Sequence, residues 1–226
     1  MPIAENINHF NKILSESNTQ LIAVSKTKPE GDLLQAYAAG QRHFGENKVQ
    51  ELTGKFEALP KDIKWHMIGH LQRNKVKYIA PFVSLIHAVD SPRLLKEINK
   101  QALKNNRVID CLLQVHIAQE DTKFGFDEKE LVDFLNSAEL NELKNIKIIG
   151  LMGMATNTND KEQVAQEFNT LKSLFDKIAS EYSLEQVSMK ELSMGMTSDF
   201  EIACKSGSTM VRIGSAIFGS RNYPQQ

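Results

Sequence analysis

Lys26 closes an apolar run, Leu21-Ile22-Ala23-Val24-Ser25-Lys26, and Thr27-Lys28-Pro29 follows at once. A run this short and apolar, with Pro29 and Gly31 just beyond it, reads as a strand buried on both faces. An ammonium at the dry end of such a strand loses hydration. That favours the neutral amine, the form that attacks an aldehyde. Taken alone, the segment is more often just a strand end carrying two solvated lysines, Lys26 and Lys28. The rest of the chain shifts that balance.

Two later segments have the composition of a phosphate cradle. Ser193-Met194-Gly195-Met196-Thr197-Ser198 offers hydroxyls. Arg212-Ile213-Gly214-Ser215 offers another, next to a glycine where backbone can approach a ligand closely. A lysine amine facing such a cradle suits a carbonyl compound that carries phosphate. Pyridoxal 5'-phosphate and the substrates of Schiff-base aldolases both fit. Arg212 stands alone between Val211 and Ile213, whose side chains point to the opposite face of a strand. A buried guanidinium needs a partner. A pyridine nitrogen is one, and a permanently cationic neighbour would keep it unprotonated. A carboxylate such as Glu46 or Asp199 is the other, and the sequence leaves both open.

The remaining reactive residue types point to packing. His66, His70, His87 and His116 lie on four separate segments, without a His-x-His or i,i+4 pair, so they read as core or rim histidines and no metal site is expected. Met152, Met154, Met194 and Met196 suit adaptable packing, with contact to a ring as the alternative. Cys111 and Cys204 lack metal-ligand spacing and fit a reducing compartment.

These residues have to be brought together by the elements around them. Ile3, Ile7, Phe10, Ile13 and Leu14 recur at helical spacing, so an amphipathic helix is expected over 3–16. Strands follow at 21–26, 43–45, 64–67, 83–87, 110–117, 146–151, 191–193 and 209–213. Helices at 31–39, 48–58, 72–79, 92–105, 127–137, 160–181 and 198–205 lie between them. This alternation predicts parallel strands with right-handed crossovers, and eight repeats favour a closed (β/α)8 TIM barrel over an open doubly wound sheet. The candidate residues then fall at the C-terminal ends of the strands, where such barrels carry their sites. No linker composition interrupts the chain, so residues 1–226 read as a single domain.

The 226 residues are 41% hydrophobic with a formal net charge of −1. Near-neutral charge removes the electrostatic case for nucleic acid or an anionic membrane surface. No signal-peptide pattern and no membrane-spanning apolar run is present, so a cytoplasmic protein is expected.

The motifs Ala23-Val24-Ser25-Lys26-Thr27-Lys28-Pro29, Phe44-Gly45-Glu46-Asn47, Trp65-His66-Met67-Ile68-Gly69-His70-Leu71-Gln72-Arg73-Asn74-Lys75, Gly150-Leu151-Met152, Leu192-Ser193-Met194-Gly195-Met196 and Gly207-Ser208-Thr209-Met210-Val211-Arg212-Ile213-Gly214 resemble, in that order, the YggS/PROSC family of pyridoxal phosphate homeostasis proteins. The resemblance implies a barrel like the fold type III domain of alanine racemase, standing alone and preceded by a helix. It implies pyridoxal 5'-phosphate (PLP) held as a Schiff base on Lys26. Thr197, Gly214 and Ser215 match the family's phosphate-binding positions, Arg212 the arginine facing the pyridine nitrogen, and Asn47 a pocket residue near the cofactor. Two positions depart from the pattern: Thr197 replaces the usual serine and keeps its hydroxyl, and Lys48 stands where tyrosine is common.

The implied function is intracellular PLP homeostasis, in which a monomer without catalytic activity buffers the cofactor and delivers it to apo forms of PLP enzymes. An amino-acid racemase is the alternative. It needs an acid/base group on each face of the substrate carbanion, and alanine racemase takes the second from a further domain and its dimer partner. This chain ends at Gln226, shortly after the last strand, which favours the carrier. An aldolase acting on a sugar phosphate ranks third.

Overall fold

The computed structural model describes residues 2–119 and 124–219. The eight strands are β1 Gln20–Val24, β2 His43–Glu46, β3 Lys64–Met67, β4 Leu85–Val89, β5 Ile109–Gln114, β6 Ile146–Met152, β7 Val187–Met196 and β8 Met210–Ile213. They pair in chain order and β8 closes on β1, all in parallel, with Ile22 opposite Arg212 across the closing seam. The (β/α)8 barrel expected from the alternation is therefore present.

The helices between strands are α2 Glu30–Ala38, α3 Val49–Ala58, α4 Val76–Ile79, α5 Pro92–Lys104, α6 Glu128–Leu135, α7 Lys161–Glu181 and α8 Phe200–Lys205, with α1 Ile3–Ser15 leading and α9 Ser215–Phe218 last. Their starts follow local chemistry. Ser91 Oγ accepts from the Leu94 N–H with Pro92 at the first position of α5, and Asp127 and Glu130 form a reciprocal capping box on α6. The leading helix buries Ile7, Phe10 and Leu14 and packs on α2, β1 and α9. Each such side chain contributes roughly 1.5–3 kcal/mol on burial.

Period-2 alternation divides the core into two compartments. Outward residues such as Phe44, Trp65, Ile86, Leu192, Val211 and Ile213 join one large cluster beneath the helices. Inward residues Ile22, Leu85, Leu112, Met152 and Met210, joined by Ala88 where the register of β4 shifts, form a small cluster inside the barrel. His66, His87, Ser193 and Arg212 occupy the inward phase of their strands and are also buried.

Four expectations change. The strand expected at 191–193 spans Val187–Met196, because β6 admits it at very short range: a Cβ added at Gly150 would lie 1.6 Å from the Glu191 carbonyl oxygen. Strand four begins at Leu85 rather than 83. The helix expected over 72–79 starts as a 3-10 turn at Arg73–Lys75, leaving only a four-residue α4. The last strand is followed by its own short helix, α9, which the sequence reading left out. Part of the loop expected over 118–126 lies outside the described residues.

Candidate functional site

The strand carrying the lysine ends earlier than the apolar run suggests. After Val24, Ser25 still pairs with β2 through its N–H to the Gly45 carbonyl. A tight turn follows, closed by the Lys28 N–H on the Ser25 carbonyl, with Lys26 and Thr27 at its centre. Thr27 has φ 65°, a left-handed conformation unusual for a β-branched residue. Lys26 is half-buried there and lines a cavity of about 420 Å³ at the C-terminal mouth of the barrel.

Asn47, Thr197, Arg212, Gly214 and Ser215 line the same cavity, so the structure gathers all six sequence-selected residues around one space. The Thr197 and Ser215 hydroxyl oxygens are 3.4 Å apart. Gly195, at φ 95°, lets the Ser-Met-Gly-Met segment turn toward the mouth, since a Cβ there would meet that of Ala203 at 2.5 Å. Gly69 lets the β3 exit lie against Asn47, whose backbone oxygen would be 2.7 Å from an added Cβ. The Asn47 Oδ1 is buried and has no hydrogen-bond partner among the described residues. Sequence reasoning missed Ile68 and did not assign Lys28 or Met154 to the wall. Of the methionines, Met154 and Met196 line the cavity, while Met152 and Met194 are buried in packing.

Arg212 is 5% exposed. Its Nη1 donates to Ser193 O at 2.9 Å and Ser193 Oγ at 2.7 Å, and its Nη2 donates to Gly153 O at 3.0 Å. A guanidinium has five N–H donors. Those on Nε and the second on Nη2 have no acceptor among the described residues. Neither carboxylate alternative is taken up. Glu46 is fully buried and holds Lys55 Nζ at 2.7 Å, while Asp199 Oδ1 accepts from the Met196 N–H at 2.5 Å. Burial pulls the Arg212 pKa down to about 10, partly opposed by the charge of Asp199. Arg212 thus stays cationic at neutral pH and faces the cavity with donors to spare.

Behind Arg212 runs a hydrogen-bonded chain that crosses the barrel. His87 Nδ1 lies 2.9 Å from Ser193 Oγ, His66 Nδ1 is 2.9 Å from His87 Nε2, and His43 Nδ1 is 3.0 Å from His66 Nε2. A β4 side chain meets one on β7 only through the lumen. The guanidinium only donates, so Ser193 Oγ accepts from it. A neutral imidazole has one donor and one acceptor nitrogen, so the three rings donate in one common direction along the chain. Burial, reinforced by the charge of His43, holds the His66 pKa at about 3. Burial likewise keeps His87 well below the usual imidazole range, with His66 and Arg212 adding to the effect. Both are neutral at physiological pH. His43 belongs to this chain and was not selected from sequence. His70 instead pairs with Asp90 at 3.0 Å on the surface, and His116 lies beside a neighbouring cavity. Among the described residues no group of three His, Cys, Asp or Glu could hold a metal ion.

Comparison with known proteins fits this geometry. The family model for the alanine racemase N-terminal domain matches residues 2–222. The pyridoxal phosphate homeostasis protein of Aquifex aeolicus (strain VF5) is 42% identical over 209 residues, covering 92% of this chain and 90% of that protein. The chain belongs to the pyridoxal phosphate homeostasis protein family. Its fold matches PipY of Synechococcus elongatus PCC7942, solved with and without PLP. The PLP-bound structure has a TM-score of 0.85 at 35% identity and covers 96% of this chain and 100% of PipY. The form without PLP has a TM-score of 0.89 at 36% identity, with the same coverage. At the level of fold alone, alanine racemase from Bartonella henselae aligns with a TM-score of 0.70 at 17% identity, over 98% of this chain and 61% of that one. No helix among the described residues is long and apolar enough to cross a membrane.

Proposed function

We propose that this protein binds PLP in the mouth cavity and serves as a carrier of the cofactor, holding it as a Schiff base on Lys26. The observation that carries this reading is Arg212: a buried cation tied to the barrel wall by three bonds, with two N–H donors left for a ligand acceptor. An unprotonated pyridine nitrogen satisfies such donors, whereas a protonated one repels them. The unpartnered Asn47 Oδ1 suits a ligand hydroxyl. The Thr197 and Ser215 hydroxyls beside Gly214 suit a phosphate, and Lys26, Lys28 and Arg212 give the cavity a cationic lining. The likeness to the pyridoxal phosphate homeostasis protein of Aquifex aeolicus and to PipY with PLP bound supports the same ligand.

PLP supplies an aldehyde and an electron-withdrawing ring. Here Lys26 provides the amine, Arg212 keeps the ring nitrogen unprotonated, and the barrel wall excludes water from one side. An unprotonated nitrogen makes the ring a weaker electron sink, which favours storage over turnover. A racemase needs two acid/base groups on opposite faces. The ionisable side chains lining the cavity among the described residues are Lys26, Lys28 and Arg212, with Lys26 and Lys28 on one loop. We read residues 1–226 as one domain, acting as a cytoplasmic monomer that hands PLP to apo-enzymes. The free thiols of Cys111 and Cys204 agree with a reducing compartment.

The test is to mix the PLP-loaded protein with an apo form of a PLP enzyme and, separately, with amino acids. The expected result is reactivation of the apo-enzyme together with negligible racemisation or transamination. Turnover of any amino acid at roughly 1 s⁻¹ or more, a typical enzymatic rate, would overturn the carrier reading.

The phosphate assignment has its own check by equilibrium titration. Thr197→Val is expected to weaken PLP retention by about 1.5–3 kcal/mol, the value of one hydrogen bond to a charged group. Ser215→Asp should weaken it further by repelling the dianion. Unchanged affinity in both variants moves the phosphate elsewhere.

A further inference from the structure

The turn that presents Lys26 is held from behind by a buried ionic cluster. Lys55 projects from α3 and is 5% exposed. Its ammonium donates all three of its protons: to the Ser25 carbonyl, to Glu46 Oε1 and to Glu51 Oε1, each at 2.7 Å. The acceptors come from three places, namely the residue before Lys26, the end of β2, and one helical turn back on α3. Ser25 Oγ donates to the same Glu46 oxygen at 2.6 Å. On the far side of Lys26, Glu51 Oε1 accepts the Thr27 N–H at 2.6 Å. Both neighbours of Lys26 are therefore gripped by one cluster, and the residue on its C-terminal side is the one with φ 65°.

This arrangement has a cost without an obvious return in stability. A buried ion pair gains little over apolar packing because desolvation offsets the attraction. A left-handed threonine is strained unless its surroundings hold it. A glycine at position 27 would relieve the strain, and an apolar side chain at 55 would remove the desolvation. The return lies in where the backbone of Lys26 is placed.

We propose that Lys55, with Glu46 and Glu51, is a positioning residue that fixes the Ser25–Thr27 turn so that the Lys26 amine meets the aldehyde of the bound cofactor. The inference rests on the assignment of Lys26 as the covalent anchor. In the step concerned, the neutral Lys26 amine nitrogen would bond to the aldehyde carbon as the carbon–oxygen bond breaks, and the oxygen would leave as water with the two protons the amine gives up. None of the three cluster residues touches the reacting atoms. A misplacement of about 1 Å at a reacting group is enough to cost a hundredfold in rate.

The test compares two ligands that differ at one carbon: PLP, and pyridoxine 5'-phosphate, which has an alcohol where PLP has the aldehyde. Two variants are used. Lys55→Met with Glu46→Gln removes the cluster without leaving a buried charge unpaired. Glu51→Ala removes the anchor of the Thr27 N–H and one of the three Lys55 acceptors, at a partly exposed site, and leaves the Glu46–Lys55 pair intact. In both, the rate at which PLP becomes fixed to Lys26, measured by stopped-flow absorbance and borohydride trapping, is expected to fall at least tenfold. The dissociation constant for pyridoxine 5'-phosphate should change less than twofold. Equal capture rates in variants and wild type would overturn the proposal. So would a parallel loss of both ligands, the mark of general damage to the pocket. Wild-type protein that captures PLP at a residue other than Lys26 would overturn the anchor assignment itself, and the clamp with it. Wild-type capture at Lys26 with unslowed variants refutes the clamp alone.

Discussion

Taking the protein from pH 7 to pH 5 is expected to lower its unfolding free energy by about 3–4 kcal/mol through the two buried imidazoles of the lumen. In the unfolded chain a histidine takes up a proton near pH 6.5. In the folded barrel His66 does so only at about pH 3, and His87 also far below the usual range, both because burial penalises the charged form. Below about pH 6.5 the unfolded state therefore binds protons that the folded state refuses, and each such histidine removes about 1.4 kcal/mol of stability per pH unit. Above that range neither contributes a slope. Glu46 acts in the opposite sense. Burial raises its pKa, against the pull of Lys55, so the folded state gains protons there as the pH falls. A natural domain has roughly 5–15 kcal/mol in total, so the histidine contribution is a large fraction. Urea unfolding at pH 7, 6 and 5 measures it. His66→Phe with His87→Leu should flatten the profile. Equal stability at pH 5 and 7, or the same decline in the double variant, would mean that the lumen imidazoles titrate normally.

The second large effect is expected from Lys26→Ala. The turn's backbone hydrogen bonds, the Lys55 cluster and the Arg212 anchors do not use the Lys26 side chain, so the pocket should keep its shape. The ligand would then be held without a covalent bond, by Arg212, Asn47, Lys28 and the Thr197, Gly214 and Ser215 edge. PLP should wash out on desalting, leaving the variant colourless where the wild type stays yellow. Affinity for pyridoxine 5'-phosphate, which cannot be held covalently, should stay within about twofold, far less than the tenfold that 1.4 kcal/mol represents. A variant that remains yellow after desalting would move the anchor to another lysine.

Much of this site could be read from the chain because strand alternation is rigid. Arg212 between two apolar neighbours, and Ser193 between Leu192 and Met194, had to face the lumen once the segments were strands. The order of short apolar runs was enough for the barrel. What stayed hidden depends on where separate segments meet. Lys55 reads as one more solvated helix lysine, since its three acceptors come from α3, β2 and the turn after β1. Thr27 gives no sign of a left-handed backbone, because a β-branched residue is the last expected there. His43 looks like a lone polar strand start and gains meaning only from His66 on the next strand. The helix α9 has four residues, too few for periodicity to register. That Arg212 has no carboxylate hydrogen-bonded to it was likewise unreadable until Glu46 and Asp199 were seen to be engaged elsewhere.

The most direct measurement is borohydride reduction of the PLP-loaded protein, followed by proteolysis and mass mapping of the pyridoxyl group. Lys26 is expected to carry the label, on the peptide that spans the turn after β1. Label found mainly on Lys28 at the cavity edge, on exposed Lys48, or on Lys123 outside the described residues would contradict the assignment of Lys26 as the cofactor's anchor.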